Sequence, residues 1–154
     1  MKINPNIKTT PRLDLAYISY KGKIEGIGSV YSRLTKWATP KGLMNAQTKM
    51  VTIYHDSPKN TDPNNLRISA CIVLNDSTEL DGEVNVRVLS PTKCIVSSFE
   101  ITPFEFQQAW ESSFAWMLEK GYKKSDVDPF EIYYNNADEH PENKFIVDLH
   151  IPIL

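Results

Sequence analysis

The chain has few cysteines and no pattern of metal ligands. Its only two cysteines among 154 residues are Cys71 and Cys94, and both lie in apolar stretches without CxxC or CxxH spacing. We therefore expect reduced packing residues rather than a disulfide or a metal site. The histidines His55, His140 and His150 also have no partner at ligand spacing, so we expect neither a metal ion nor a cofactor.

Basic residues are not in excess, since 17 Lys and Arg stand against 19 Asp and Glu, a net charge of -2. Duplex nucleic acid requires a clustered basic face, so we do not expect this domain to bind nucleic acid directly. The charge is nevertheless divided, because residues 1–77 hold 11 basic and 5 acidic residues and residues 78–154 hold 6 and 14. This asymmetry fits either an acidic partner or attraction between two halves of one domain.

Long apolar runs are also missing. No stretch approaches the ~18 apolar residues of a membrane span, and the N-terminal eleven residues lack the apolar core of a signal peptide. We therefore expect a cytoplasmic protein without membrane contact. With 41% apolar and 23% charged residues, the composition is that of one globular domain, residues 1–154.

The second half of the sequence repeats the pattern of the first. A shift of 79 residues aligns residues 13–75 with residues 92–154 without a gap. Each half has a strand-like run, then a helical pattern that ends in Lys-Gly, and glycine is favoured just past the end of a helix. The order of elements, more than the few identical residues, indicates a duplication.

Apolar spacing assigns the elements of each half. Helices are predicted at about 26–38 and 103–120, and Thr102 with Glu105 forms a capping box at the start of the second. Strands are predicted at 13–20, 50–55 and 66–74, then at 83–89, and finally at 93–99, 130–134 and 145–153.

The repeated unit is therefore strand, helix, strand, strand. We predict one α+β domain with two such modules, at about residues 13–75 and 84–154, related by a pseudo-twofold axis. The sheet should be mostly antiparallel, with two main helices. Clefts where duplicated modules meet are common ligand sites, so we expect a groove there.

The strand at 130–134 contains the main candidate residue for a binding site, Glu131. Alternate residues of a strand share a face, so Glu131 and Tyr133 point the same way, and their counterparts 79 residues earlier are Thr52 and Tyr54. A carboxylate beside aromatic rings suits an amphipathic cation, because the rings contact its flat apolar body and the carboxylate its positive end.

Three further residues can either line the same site or pack in the core. Tyr31 and Trp110 lie on the predicted helices and are counterparts of each other in the repeat, and His150 lies on the last strand. The predicted ligand-binding set is therefore Glu131, Tyr133, Tyr54, Tyr31, Trp110 and His150.

Four segments of this sequence resemble the GyrI-like family. In chain order they are residues 54–58 (YHDSP), 67–72 (RISACI), 130–133 (FEIY) and 151–153 (IPI). The family includes effector-binding domains of AraC-type and MerR-type transcription regulators, and the resemblance extends from about residue 13 to residue 154. It implies a groove for small, often cationic and lipophilic molecules, with Glu131 as the acidic anchor.

The resemblance leaves three functions open. The first is binding of amphipathic, cationic small molecules, either as the effector-binding domain of a regulator or as a stand-alone sequestering protein. Stand-alone members of the family also include hydrolases of cyclopropane-bearing toxins, in which case Glu131 would act as the general base. Others bind gyrase, in which case the partner is a protein. No helix-turn-helix segment is expected before Leu13.

Overall fold

The computed structural model describes residues 1–75 and 80–154. By its internal contacts the chain divides into a unit of Arg12–Ser90 and a unit of Met1–Pro11 with Pro91–Leu154. We call them the Arg12–Ser90 unit and the Pro91–Leu154 unit. The strands are β1 (Asn6–Thr9), β2 (Leu13–Lys21), β3 (Met50–Tyr54), β4 (Arg67–Leu74), β5 (Asn85–Leu89), β6 (Lys93–Ile101), β7 (Phe130–Tyr133) and β8 (Phe145–Pro152), and the α-helices are α1 (Ile27–Ala38) and α2 (Phe106–Glu119).

The Arg12–Ser90 unit is an antiparallel sheet covered on one face by α1. Its strand order is β5-β2-β4-β3. The helix buries Val30, Leu34 and Ala38, which recur at helical spacing. They pack on Ala16 and Ile18, the residues of β2 that point to the same side. Because side chains alternate along a strand, the residues next to Ala16 and Ile18 point to the face opposite α1.

The Pro91–Leu154 unit has the same design. Its strand order is β1-β6-β8-β7, again antiparallel, and α2 covers one face. A short 3-10 turn with the capping box of Thr102 and Glu105 precedes α2, as the sequence predicts. Ala109 and Met117 of α2 are buried among the apolar residues of β6 and β8. Each unit thus contains the order strand, helix, strand, strand, which β5 follows in the Arg12–Ser90 unit and β1 precedes in the Pro91–Leu154 unit.

The predicted fold class is confirmed, and the elements agree with the prediction except at β1. Both helices and all seven predicted strands are present within a few residues of their expected bounds. The additional strand β1 pairs with β6, from Asn6 opposite Val96 to Thr9 opposite Lys93. Cys71 and Cys94 are buried free thiols, as predicted for packing residues. None of the described helices is long and apolar enough to cross a membrane.

Candidate functional site

Glu131 is the centre of the candidate site. It lies in β7 with Leu149 of β8 opposite, on the sheet face that α2 covers. Its side chain is 0% exposed. A buried carboxylate is strongly disfavoured unless hydrogen-bond donors replace the water it has lost.

Two aromatic residues supply such donors, one to each carboxylate oxygen. The indole N–H of Trp110 donates to Oε1 of Glu131 at 2.7 Å. The hydroxyl of Tyr133 donates to Oε2. Tyr133 reaches Glu131 because residues two apart on a strand share a face, and Trp110 reaches it because the inward side of α2 lies above that face. We call Glu131, Trp110 and Tyr133 the carboxylate triad.

Further aromatic rings surround the triad. The ring of Phe145 lies 5.5 Å from the ring of Tyr133 and 5.5 Å from that of Phe106, and Phe114 lies 6.0 Å from Trp110. All these residues are half-buried, so each keeps part of its surface accessible. The prediction of site residues did not include Phe106, Phe114 or Phe145, although the helical stripe through Trp110 contains Phe106.

The Arg12–Ser90 unit contains a neutral counterpart of this contact. The hydroxyl of Tyr31 on α1 lies 2.6 Å from Oγ1 of Thr52 on β3 and donates to the carbonyl of Val51 at 2.8 Å. Tyr31 precedes Trp110 by 79 residues, and Thr52 precedes Glu131 by the same number. The duplication therefore preserves a hydrogen bond between helix and strand. Tyr54, the counterpart of Tyr133, is half-buried at the end of β3. At the position equivalent to Thr52, the Pro91–Leu154 unit has the carboxylate of Glu131.

His150 lies on the other face of its sheet. It pairs with Phe130 across β7 and β8, and the two rings stack with centroids 4.5 Å apart. Since Phe130 precedes Glu131 in the strand, His150 and the triad are on opposite faces. His150 is 4% exposed, and this burial lowers its pKa from 6.5 to about 4. The structure thus groups Trp110 and Tyr133 with Glu131, and separates His150 from them.

The chemistry available at the triad is electrostatic. A carboxylate in an apolar surrounding attracts a cation more strongly than the same group in water, and aromatic faces add cation–π attraction. Within residues 1–75 and 80–154, no group of three or more His, Cys, Asp or Glu side chains is arranged to hold a metal ion.

Substituting Trp110 by Phe tests whether its indole stabilises the buried carboxylate. The change keeps an aromatic ring but removes the donor to Oε1, and we expect the free energy of unfolding to fall by about 1–3 kcal/mol. Tyr31→Phe is the matched control, because it removes the corresponding hydroxyl from a neutral partner and should cost less, about 1 kcal/mol. Urea denaturation of both variants measures the difference. Equal losses would show that the charge of Glu131 does not matter at this contact.

This chain is similar in sequence and in fold to known proteins. The family model of the GyrI-like small molecule binding domain matches residues 3–154. The crystal structure of the EcmrR C-terminal domain has a TM-score of 0.79 at 15% identity, covering 100% of this chain and 99% of that one. A search of curated proteins found no match.

Two further solved structures share this fold. EcmrR in its complex with DNA has a TM-score of 0.83 at 14% identity, covering 98% of this chain and 57% of that chain. This chain thus spans little more than half of that regulator. The structure of SAV2435 bound to tetraphenylphosphonium has a TM-score of 0.60 at 16% identity, covering 98% of this chain and 94% of that one. At these identities the structures show a common fold.

Proposed function

This chain belongs to the GyrI-like family of small-molecule binding domains, and from that premise we propose that it binds small amphipathic cations through Glu131. The observation that supports this most directly is the fully buried carboxylate of the triad among half-buried aromatic rings. In this proposal the chain is either the effector-binding domain of a transcription regulator or a stand-alone sequestering protein.

The burial of Glu131 favours a cation over a neutral ligand. A charge removed from water keeps its attraction for an opposite charge, while screening by solvent and salt is reduced. The two donors, Trp110 and Tyr133, also hold the carboxylate in one orientation. A ligand with a positive centre inside an apolar body would therefore gain both from the charge and from the rings around it.

A protein of the same fold suggests a ligand with which to test this proposal. SAV2435 has been solved with tetraphenylphosphonium bound, and this cation carries its charge inside four phenyl rings. A site of the proposed chemistry in this chain would accept the same kind of molecule. Triphenylphosphine oxide is a suitable neutral comparison, because it has similar rings and no net charge.

The proposal is tested by titrating the protein with both compounds in a calorimeter. We expect saturable binding of tetraphenylphosphonium and a dissociation constant for the neutral oxide at least roughly tenfold higher, which is about 1.4 kcal/mol. The cation should also raise the thermal midpoint, because it binds only the folded state. Absence of binding across a panel of such cations, or equal affinity for the oxide, would contradict the proposal.

A further inference from the structure

A second polar cluster lies in the Arg12–Ser90 unit, on the sheet face opposite α1. It brings together Arg87 of β5, Ser69 of β4 and His55, which follows β3. Nη1 of Arg87 donates to Oγ of Ser69 at 2.9 Å and lies 3.2 Å from Nε2 of His55. The same His55 nitrogen is 2.7 Å from Oγ of Ser69. We call these three residues the arginine cluster.

The charge of Arg87 is not balanced by a carboxylate. Among the described residues, its contacts are Ser69, His55 and the ring of Tyr17, whose centroid lies 5.0 Å from the guanidinium carbon. Each is uncharged or a potential cation. None of these partners is a carboxylate, so none neutralises the guanidinium, and an arginine in this position can still attract an anion.

The acidic residue beside the cluster is already bound elsewhere. Asp56 follows His55 in the chain, and its two oxygens accept from the side chain of Arg67 at 2.8 and 3.0 Å. It also accepts from the backbone N–H of Arg67 at 2.9 Å. These bonds to Arg67, with a smaller electrostatic contribution from His55, lower the pKa of Asp56 from 3.8 to about 2, so its charge is engaged mainly by Arg67.

Arg87 also retains hydrogen-bond donors on its guanidinium group. Within the described part of the chain only Nη1 makes hydrogen bonds to protein groups, which leaves Nε and Nη2 available. These two nitrogens form the fork that binds carboxylate or phosphate oxygens in pairs. Ser69 is 1% exposed, while His55 and Arg87 are half-buried, so the guanidinium is held by one buried and one half-buried side chain and Arg87 keeps part of its surface exposed to solvent.

From this arrangement we propose that the arginine cluster binds a small oxyanion, a carboxylate or a phosphate group. The fork of Arg87 contacts the oxygens, and His55 and Ser69 fix the guanidinium through Nη1. The site shares no residue with the carboxylate triad, which attracts charge of the opposite sign. It uses one residue of β4, one residue of β5 and the residue that follows β3, all in one unit.

The test is a titration of the protein with sodium phosphate and, in parallel, with sodium acetate, at ionic strength held constant with sodium chloride. The ring signals of His55 in the NMR spectrum report binding. We expect a saturable shift with at least one oxyanion and none with chloride alone. The oxyanion with the lower dissociation constant shows whether the site prefers phosphate or carboxylate.

Two variants decide whether Arg87 is responsible. Arg87→Gln should weaken the oxyanion by roughly 10- to 100-fold, because hydrogen bonds to charged groups are the strong ones. Arg87→Lys keeps the charge without the fork and should weaken it by about tenfold or less. The matched control is Arg33→Gln, which alters an exposed arginine paired with Glu83 at 3.0 Å and should leave the affinity unchanged.

Three results would overturn the proposal. They are unshifted His55 signals with both oxyanions, an equal shift with chloride, and unchanged affinity in both Arg87 variants. Binding of tetraphenylphosphonium by each variant shows independently that it is folded. Tetraphenylphosphonium tests the site at Glu131, and the oxyanions test the arginine cluster. A negative result for one proposal can therefore be told apart from a negative result for the other.

Discussion

Replacing Glu131 by Gln is expected to weaken tetraphenylphosphonium binding by about 1–3 kcal/mol, roughly 5- to 150-fold in the dissociation constant. The substitution preserves the size and shape of the side chain and removes its charge. The aromatic surface around it remains, so the apolar part of the binding energy should be retained. Calorimetric titration of the wild type and the variant measures the difference.

The specificity of this loss is as informative as its size. Triphenylphosphine oxide has no charge for Glu131 to attract, so its affinity should change much less. Glu119→Gln is the matched control, because it removes an exposed carboxylate near the end of the same helix that contains Trp110. An equal loss for the cation and the neutral oxide in the Glu131 variant would refute a charge anchor, as would an equal loss in the Glu119 variant.

The architecture was predictable because each half of the chain contains strong periodic signals. The stripe of Val30 and Leu34 and the alternation along β2 and β6 report burial directly. The strand β1 has no such signal, because its sequence, NIKT, has one apolar residue and all four side chains are exposed. Its structure comes from backbone pairing with β6, and backbone hydrogen bonds leave no pattern in the side chains.

The candidate site was predictable only where local geometry determines it. Strand alternation placed Tyr133 beside Glu131, and the 79-residue repeat marked Trp110 as the counterpart of Tyr31. Cross-strand neighbours depend on register, which hydrophobic pattern alone does not give for β7 and β8. The pairing of Phe130 with His150 therefore could not be foreseen. It places this histidine on the face opposite the carboxylate triad.

The same limitation explains why the arginine cluster was not predicted. His55, Ser69 and Arg87 are separated by 14 and 18 residues, and none belongs to a recognisable catalytic or ligand-binding spacing. They meet because β2 pairs with both β4 and β5, and because β3 pairs with β4. Only the register of three strand pairs brings these side chains together. A sequence pattern can show that each is polar, but not that they are neighbours.

The buried His150 is expected to make the protein less stable in mild acid. Its pKa is lowered from 6.5 to about 4, first by burial, while the neighbouring Asp148 opposes the shift and Lys8 adds to it. In the folded protein at neutral pH the ring is uncharged. The unfolded chain takes up a proton as the pH falls below about 6.5, and the folded protein does so only near pH 4.

The sign and the pH window follow from this difference. The contribution of His150 to stability is fully present above pH 6.5 and is lost as the pH falls towards about 4, because the unfolded state binds more protons in that interval. The loss should reach about 3 kcal/mol. Below the folded pKa both states are protonated, and the contribution of this residue should fall no further.

Urea denaturation at pH 8, 7, 6, 5 and 4 would measure the effect in the wild type, His150→Gln and His150→Phe. The Phe variant retains a ring against Phe130, and the Gln variant retains a polar side chain. A packing defect would therefore affect the stability of the two variants differently. Carboxylates titrate in all three proteins, and their effect cancels in the comparison. We expect the gap in unfolding free energy between the wild type and each variant to shift by about 3 kcal/mol in favour of the variants between pH 7 and pH 4. A gap that stays constant over this range would mean that His150 is not held neutral by burial, and that its stacking on Phe130 does not exclude the proton.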